Sequence, residues 1–491
     1  MNTVEGAVVG LAALSAGGAL PAVAIARAKL VVVPLAPLAG AALASLAVTA
    51  MTAVGGSFLT WYVVLSVFGA ATVAACWVRF PRARPWGTAS GRRPSRSNYA
   101  AAGIGSLVVC VACLSALKAP MTGFDTRDIW LLHPFWYLQG HAKTVETLRS
   151  SAYTFSHPPY PPLIGGSVAL TWLAAGVKSY RLGVVMIALL NALAILAAGS
   201  AVFEVASGLA STVGDSARRR RMLVVGVALM LGVMAVAFYA PGTIAVNGYA
   251  DLLWASAAVG AVAYGLVLPV TTANVGAAAV LAAVAGLTKL EGSLTAAVIV
   301  GLIALRWYLS ARSDAPLRAR AVRVGGFAFC TWAVIGVWPL VIRVLGALPD
   351  VPIQGPRRGT DSSRLAASFD GALSWAGTNV AALCGGVAVA LLGWYFLRGA
   401  RRRAALGNDL WAWSAVCVEL CLILGAYVTG PGNALSWVQV SVARTTLFAA
   451  LEAWWIMTTW AIVAVSAVSP VDDAVPRTPT TPTEVLVGAR T

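Results

Sequence analysis

Long apolar runs alternate with short polar segments along most of the chain. Each run is about 20 residues, the length that an α-helix needs to cross the hydrocarbon core of a bilayer. Backbone groups inside a bilayer must be hydrogen-bonded within their own segment, so these runs predict helices. About thirteen spans are predicted, with boundaries good to a few residues. They are residues 6–25, 30–52, 57–78, 100–119, 182–209, 222–240, 250–270, 274–288, 292–309, 324–346, 373–397, 410–428 and 446–468.

One further apolar segment, residues 161–176, is too short for a full span and opens with prolines. Counting it as a span would reverse the orientation of everything after it. We therefore interpret it as a re-entrant or surface-lying helix inside one long external loop, residues 120–181.

The composition supports this interpretation. The chain is 59% hydrophobic and only 11% charged, whereas soluble domains carry about a quarter charged residues. The short alternating segments of a membrane β-barrel are absent from the sequence. The prediction is an all-α polytopic integral membrane protein whose large external loop carries short surface helices.

The formal net charge of +17 comes largely from basic blocks between the apolar runs. Such blocks mark cytoplasmic loops, and alternating the predicted spans puts all of them on one face. Membrane orientation therefore explains the charge better than binding to nucleic acid. The blocks are Arg27 with Lys29, Arg79–Arg96, Arg218–Arg221, Arg312–Arg323 and Arg398–Arg403.

Loop 347–372 departs from that rule, because Arg357, Arg358 and Arg364 would face outward. These arginines are either solvated or bind an anionic head group, since a guanidinium matches phosphate oxygens with two parallel donors.

An acidic stretch, residues 123–130, follows the fourth predicted span and contains Asp125, Arg127 and Asp128. A proline-rich stretch with His157 and Tyr160 follows in the same loop. Transfer of a glycosyl group to a hydroxyl needs a general base, commonly a carboxylate. Cations stabilise a phosphate leaving group as it gains charge. These residues indicate chemistry at the bilayer surface on a lipid-anchored substrate.

Structural roles are open for the same residues. Asp125 could cap a helix that begins near Thr126, and Asp128 could be solvated or salt-bridged. His157 could brace its loop, while Asp251 and Lys289 lie at span ends, where charges often mark the interface. Glu419 lies deep in a span and is left out of the site.

The order of these motifs resembles the GT-C class of membrane glycosyltransferases, which includes polyprenyl-phosphate mannosyltransferases, arabinosyltransferases and aminoarabinose transferases. The resemblance extends from about residue 100 to 460. It rests on Gly-Phe-Asp-x-x-x-x-Trp (residues 123–130), His-Pro-Pro-Tyr-Pro-Pro-Leu (157–163), Gly-Tyr-Ala-Asp (248–251), Thr-Lys-Leu-Glu-Gly (288–292) and Ser-Val-Ala-Arg (441–444).

The resemblance implies that Asp125 is the catalytic base of an inverting transfer. The donor would be a polyprenyl-phosphate sugar, and the acceptor an envelope glycan or glycolipid at the external face of the cell membrane. The Ala-, Val- and Gly-rich composition with excess Arg fits an actinobacterial envelope. No cofactor is certain, and a divalent metal is possible. The candidate substrate-binding residues are Arg127, Asp128, His157, Tyr160, Asp251, Lys289, Glu291, Arg357, Arg358 and Arg444.

The family commonly has His-Pro-Asp-Tyr-Pro where this chain has Pro159, so Asp128 or Asp251 would have to act as any second acidic partner. Three regions are predicted: N-terminal spans with a basic cytoplasmic loop (1–99), a GT-C-like transmembrane catalytic core (100–469) and a disordered tail (470–491). Two other functions stay open, namely a transporter or flippase of lipid-linked sugars and a non-catalytic envelope-assembly subunit.

Overall fold

A computed structural model of the 491-residue chain describes residues 1–26, 31–79, 96–121, 123–211, 246–310, 317–348, 362–396, 399–429 and 434–467. Helices make up nearly all of these residues, and no strand occurs among them. The predicted all-α class is therefore confirmed.

Seventeen α-helices are described. They are α1 (Thr3–Ala26), α2 (Val32–Val54), α3 (Phe58–Arg79), α4 (Arg96–Lys118), α5 (His133–Gln139), α6 (His141–Arg149), α7 (Leu163–Ala175), α8 (Tyr180–Ser211), α9 (Asp251–Val262), α10 (Thr272–Thr288), α11 (Leu290–Ser310), α12 (Leu317–Val344), α13 (Ser362–Trp375), α14 (Gly377–Phe396), α15 (Gly399–Thr429), α16 (Ala434–Thr445) and α17 (Leu447–Ala467). The described residues also contain two π-helical turns, Asp125–Trp130 and Ala263–Val267, and a 3₁₀ turn, Ser151–Ser156.

Seven of the described helices are long and apolar enough to cross a membrane, or eight if the bent pair α13 and α14 forms one span. The seven are α1, α2, α3, α8, α11, α12 and α15. The chain is thus a polytopic helical membrane protein. Shorter apolar helices α4, α9, α10 and α17 coincide with four other predicted spans, and predicted span 222–240 lies outside the described residues.

Helices α1, α2 and α7 pack together on one side of the bundle, and α8, α9 and α10 form its centre. Glycines permit the closest crossing, that of α1 with α2. A Cβ on Gly18 or Gly40 would collide with the backbone of the opposite helix. Small residues at such crossings allow backbone contact between helices inside a membrane.

The segment 120–181 is folded onto the bundle. The His141 ring hydrogen-bonds the Met51 carbonyl at the end of α2 at 3.0 Å. The Arg149 Nε–H donates to the Leu345 carbonyl beyond α12 at 2.7 Å. Helix α7 is buried along most of its length and packs on α1 and α2. The surface-lying alternative for residues 161–176 is therefore wrong, while a buried re-entrant helix agrees with the structure.

These contacts gather several chain segments at one end of the bundle. The Thr126 hydroxyl donates to the Asn247 carbonyl just before α9, and the Arg181 guanidinium donates to the Ala116 carbonyl near the end of α4 at 3.0 Å. The junction between α10 and α11 and the end of α16 reach the same place through the ion pairs described below.

Candidate functional site: a buried charged cluster at one end of the bundle

Five ionisable side chains from four segments meet at this end; we call them the charged cluster. Arg444 Nη1 lies 2.9 Å from Asp125 Oδ2, and Arg444 Nε lies 3.4 Å from Asp251 Oδ2. The other carboxylate oxygen of Asp251, Oδ1, accepts a 2.9 Å hydrogen bond from Lys289 Nζ. Lys289 Nζ also lies 3.3 Å from Glu291 Oε1. Asp251 thus bridges the two cations.

Three members lie at helix ends that suit their charge. Asp251 and Glu291 belong to the first turns of α9 and α11, where the helix dipole favours an anion. Arg444 belongs to the last turn of α16, where a cation is favoured. Lys289 has an extended backbone, with φ −154° and ψ 159°. That single residue separates α10 from α11 and turns its ammonium group into the cluster.

Burial makes these interactions strong. The side chains of Lys289 and Asp251 are 3% and 2% exposed, while those of Arg444 and Asp125 are 28% and 19% exposed. Burial lowers the pKa of the Lys289 ammonium, but the charges of Asp251 and Glu291 outweigh burial and raise that pKa above its usual value. Lys289 therefore stays charged at neutral pH. Three carboxylates face two cations, so the cluster carries one net negative charge when all five groups are ionised.

The turn that presents Asp125 is π-helical and begins at Asp125 itself. Phe124 occupies the capping position, and no side chain caps the turn. The expectation that Asp125 caps a helix is therefore wrong, and its carboxylate instead pairs with Arg444. The Thr126–Asn247 hydrogen bond anchors the turn to the entry of α9. Single π-helical turns are rare in proteins, but those that occur are frequently found at functional sites.

Aromatic rings border the cluster. The Tyr160 ring stacks on the rings of both His157 and Trp130. The ring centroids are 4.9 Å apart for His157 and 5.5 Å apart for Trp130, and the angles between the ring planes are 21° and 26°. The Arg444 guanidinium lies over the Tyr249 ring, 5.3 Å from its centroid. Tyr160 is close enough to Arg444 for the two side chains to interact electrostatically, so the stack lies at the edge of the cluster.

The backbone holds this ring stack in place. His157 adopts a left-handed conformation with φ +52°, which is uncommon for a residue with a side chain. The buried Trp338 indole donates to the Pro159 carbonyl at 2.8 Å. The His133 ring hydrogen-bonds the Ser156 carbonyl at 2.8 Å, directly before the strained residue. The prolines and two buried side chains therefore fix the direction of the stack.

Some predicted site residues lie apart from the cluster. Arg127 and Asp128 pair with each other through two contacts of 3.1 and 3.0 Å, and the Arg127 side chain is 61% exposed. Such an exposed pair contributes little to stability. Arg357 and Arg358 lie outside the described residues.

The sequence did not single out two residues of this region, Tyr249 and His133. Trp130, like Trp136, Tyr137 and Tyr153, could be predicted to stack on a sugar, although an interfacial aromatic belt explains such residues better. Tyr249 lies inside one of the resembling motifs. Nothing in the sequence marks His133 as buried. Burial lowers its pKa to about 4, so the ring is neutral at neutral pH and braces the loop.

No group of three or more His, Cys, Asp or Glu side chains in the described part of the chain is arranged to hold a metal ion. The carboxylates of the charged cluster are instead balanced by Lys289 and Arg444. The arrangement can therefore present both a carboxylate and cations to an anionic substrate using its own side chains.

Comparison with known proteins finds no match: no protein-family model, no curated protein and no solved structure is significantly similar to this chain. The site is therefore interpreted from its own geometry and chemistry.

Proposed function

We propose that the chain is an inverting membrane glycosyltransferase that moves a sugar from a polyprenyl-phosphate donor to an envelope glycan or glycolipid. The observation that carries the proposal is the charged cluster. A half-buried carboxylate, Asp125, lies beside a half-buried guanidinium, Arg444, and a fully buried Asp251–Lys289 pair supports both. A structural ion pair would not need a partly open carboxylate and a row of stacked aromatic rings at its edge.

In this proposal Asp125 removes the proton of the acceptor hydroxyl as the glycosidic carbon leaves its phosphate. Positioned proton transfer of this kind contributes about 10²–10⁴ in rate. Arg444 binds the phosphate oxygens, which gain charge as the bond breaks. Its Nε–H lies 3.4 Å from Asp251 without the geometry of a hydrogen bond. The guanidinium can therefore reorient toward a phosphate without breaking a hydrogen bond at Nε.

The half-buried His157 ring, at the open end of the stack with Tyr160 and Trp130, provides the sugar subsite. A flat apolar face next to charged groups suits a ring that is apolar above and below and polar at its rim. Trp130 is 2% exposed and supports the stack from beneath.

An apolar groove supports a lipid-linked donor. The groove has a volume of about 250 Å³ and lies between α13, α14, α15 and α16. Its few polar side chains bond one another, since Asn379 donates to the Thr446 hydroxyl at 2.8 Å. Phe369 and Leu373 at its edge are about half exposed, 53% and 50%. We assign it to part of the donor's isoprenoid tail.

The groove and Arg444 lie on opposite sides of α16. Val442 and Thr446 line the groove, and residues two apart on a helix point in roughly opposite directions. The head group would therefore pass around the end of α16, where that helix meets α17, to reach Arg444.

We further propose the full topology of about thirteen spans, with the charged cluster at the external face of the cell membrane. The agreement between the basic blocks and the alternating spans supports it. The gathering of the cluster residues at one bundle end also supports it, because the same alternation puts each of them on the external side.

Transfer by the detergent-purified protein from a synthetic polyprenyl-phosphate sugar tests the function. Asp125→Asn should lower turnover by about 10²–10⁴ while donor binding and monodispersity are kept. Asp128→Asn is the matched control. It removes a neighbouring carboxylate that pairs with exposed Arg127, and it should change turnover little. Near wild-type transfer by Asp125→Asn would refute the catalytic assignment.

A transporter of lipid-linked sugars is the second candidate. It is favoured by carboxylates inside membrane helices, because Glu419 and Glu452 are 3% and 0% exposed. Ionisable groups in such places often belong to transport pathways. Translocation of a labelled lipid-linked sugar in vesicles, without transfer to an acceptor, would favour this function over the first.

A further inference from the structure

Two carboxyl groups lie inside the helix bundle away from the charged cluster. Asp409 on α15 is 9% exposed, and Glu452 on α17 is fully buried. They are close enough for the charge of Asp409 to act on Glu452. Glu452 follows the start of α17 by five residues, which is about 7.5 Å along the helix.

Neither group has the partners that a buried charge requires. Both oxygens of Glu452 and Oδ2 of Asp409 are buried without a hydrogen-bond partner. The indole of Trp460, 4% exposed, lies beside Asp409, but its N–H is also without a well-formed hydrogen bond. In the described residues no lysine or arginine pairs with either carboxyl.

The packing around them supplies no compensating charge. Helix α17 packs on α8, α9, α14, α15 and α16, and α15 packs also on the π-turn Ala263–Val267, α11, α13, α14 and α16. The charged groups described on these elements are exposed or have partners elsewhere. Asp370 on α13 is exposed, Arg444 pairs with Asp125, Glu291 lies beside Lys289, and Arg181 donates to the Ala116 carbonyl. Asp251 is paired with Lys289, Glu204 accepts from Tyr264, Glu419 accepts from Thr295, Arg306 donates to the carbonyls of Gly265 and Leu268, and Cys384 is an exposed thiol.

A carboxylate buried without a counter-ion is disfavoured by several kcal/mol, and two such charges close together disfavour each other further. Binding a proton removes the charge, and with it most of the cost of burial. We propose that Asp409 and Glu452 form an internal proton-binding site, in which at least one of the two is a neutral carboxylic acid at neutral pH. The site is independent of the proposed glycosyl transfer.

Infrared spectroscopy of the purified protein tests the proposal, since a carboxylic acid has a carbonyl band that a carboxylate lacks. At about pH 7, where exposed carboxyls are ionised, the wild type should show this band. Glu452→Gln or Asp409→Asn should remove part of it. Each amide has the shape of the protonated acid, so the fold should be kept. Glu419→Gln is the matched control, because it removes a different buried carboxyl. The decrease that it causes in the carbonyl band should add to the decrease caused by Glu452→Gln.

Carbodiimide labelling of the wild type gives the same answer without a variant, because the reagent adds to protonated carboxyls in apolar surroundings. Peptide mass spectrometry should find the adduct on Glu452 or Asp409 and not on exposed Glu146. An infrared band that neither substitution changes, together with no adduct on either residue, overturns the proposal. A band that appears only when Na⁺ is removed also overturns it, since the site would then hold a metal ion.

Discussion

Replacing Lys289 with Met removes the most deeply buried cation of the charged cluster. Lys289 pairs with Asp251 at 2.9 Å, and the two side chains are 3% and 2% exposed. Removing one partner of a buried ion pair costs about 3–5 kcal/mol, because the other charge stays buried. Asp251 keeps Arg444 at 3.4 Å, so we expect Lys289→Met to cost about 3 kcal/mol, the lower end of that range.

The net charge of the cluster predicts the order of stability among the variants. The ionised cluster has one net negative charge; Lys289→Met leaves two, whereas Asp251→Asn leaves none. Lys289→Met should therefore destabilise the protein more than Asp251→Asn does. The double variant restores one net negative charge and should be more stable than Lys289→Met alone, a coupling of about 1–3 kcal/mol.

Thermal unfolding of the detergent-purified variants, read by intrinsic tryptophan fluorescence, measures this order. Lys143→Met is the matched control. Lys143 pairs with Glu146 at 2.8 Å, a similar distance, but the side chains are 25% and 57% exposed. Its loss should lower the melting temperature much less than Lys289→Met does, because an exposed ion pair is screened by water and salt. A lower stability of Asp251→Asn than of Lys289→Met, or of the double variant than of Lys289→Met, would show that net charge does not set the stability of the cluster.

Three other predictions concern the site and its orientation. Arg444→Ala should reduce the transfer rate or donor affinity by about ten- to a hundredfold, and Arg444→Lys should restore only part, since an ammonium lacks the fork geometry; wild-type donor kinetics in Arg444→Ala would exclude the residue. His133 has a folded-state pKa of about 4, below its usual 6.5, so stability should fall as pH drops from about 7 to 5, by about 2 kcal/mol. His133→Gln should lose this part of the pH dependence of the melting temperature, and an unchanged profile would contradict it. In a background without native cysteines, a thiol reagent added outside should label Ser150→Cys and spare Ser90→Cys; the reverse result would overturn the topology.

The sequence alone determined the class of the protein and the place of most helices. Predicted span 182–209 lies within α8, Tyr180–Ser211, and predicted span 292–309 lies within α11, Leu290–Ser310. The physical reason is local, because an apolar run that must satisfy its own backbone in lipid can only be a helix. The sequence also identified the candidate acidic and basic residues, because a charged residue next to an apolar run is unusual.

Only the tertiary structure decided which of these charges meet. Asp251 pairs with Lys289 from across a helical hairpin and with Arg444 from much farther along the chain. Arg127, by contrast, pairs within the described residues with its neighbour Asp128. Helices that are apolar on every face carry no stripe to say which side meets which neighbour. Their rotation and packing follow from close fits such as that of Gly40 against Leu14, which depend on both partners at once. The burial of His133 and of the unpaired oxygens of Glu452 depends on the same packing. The sequence of one segment alone therefore cannot predict it.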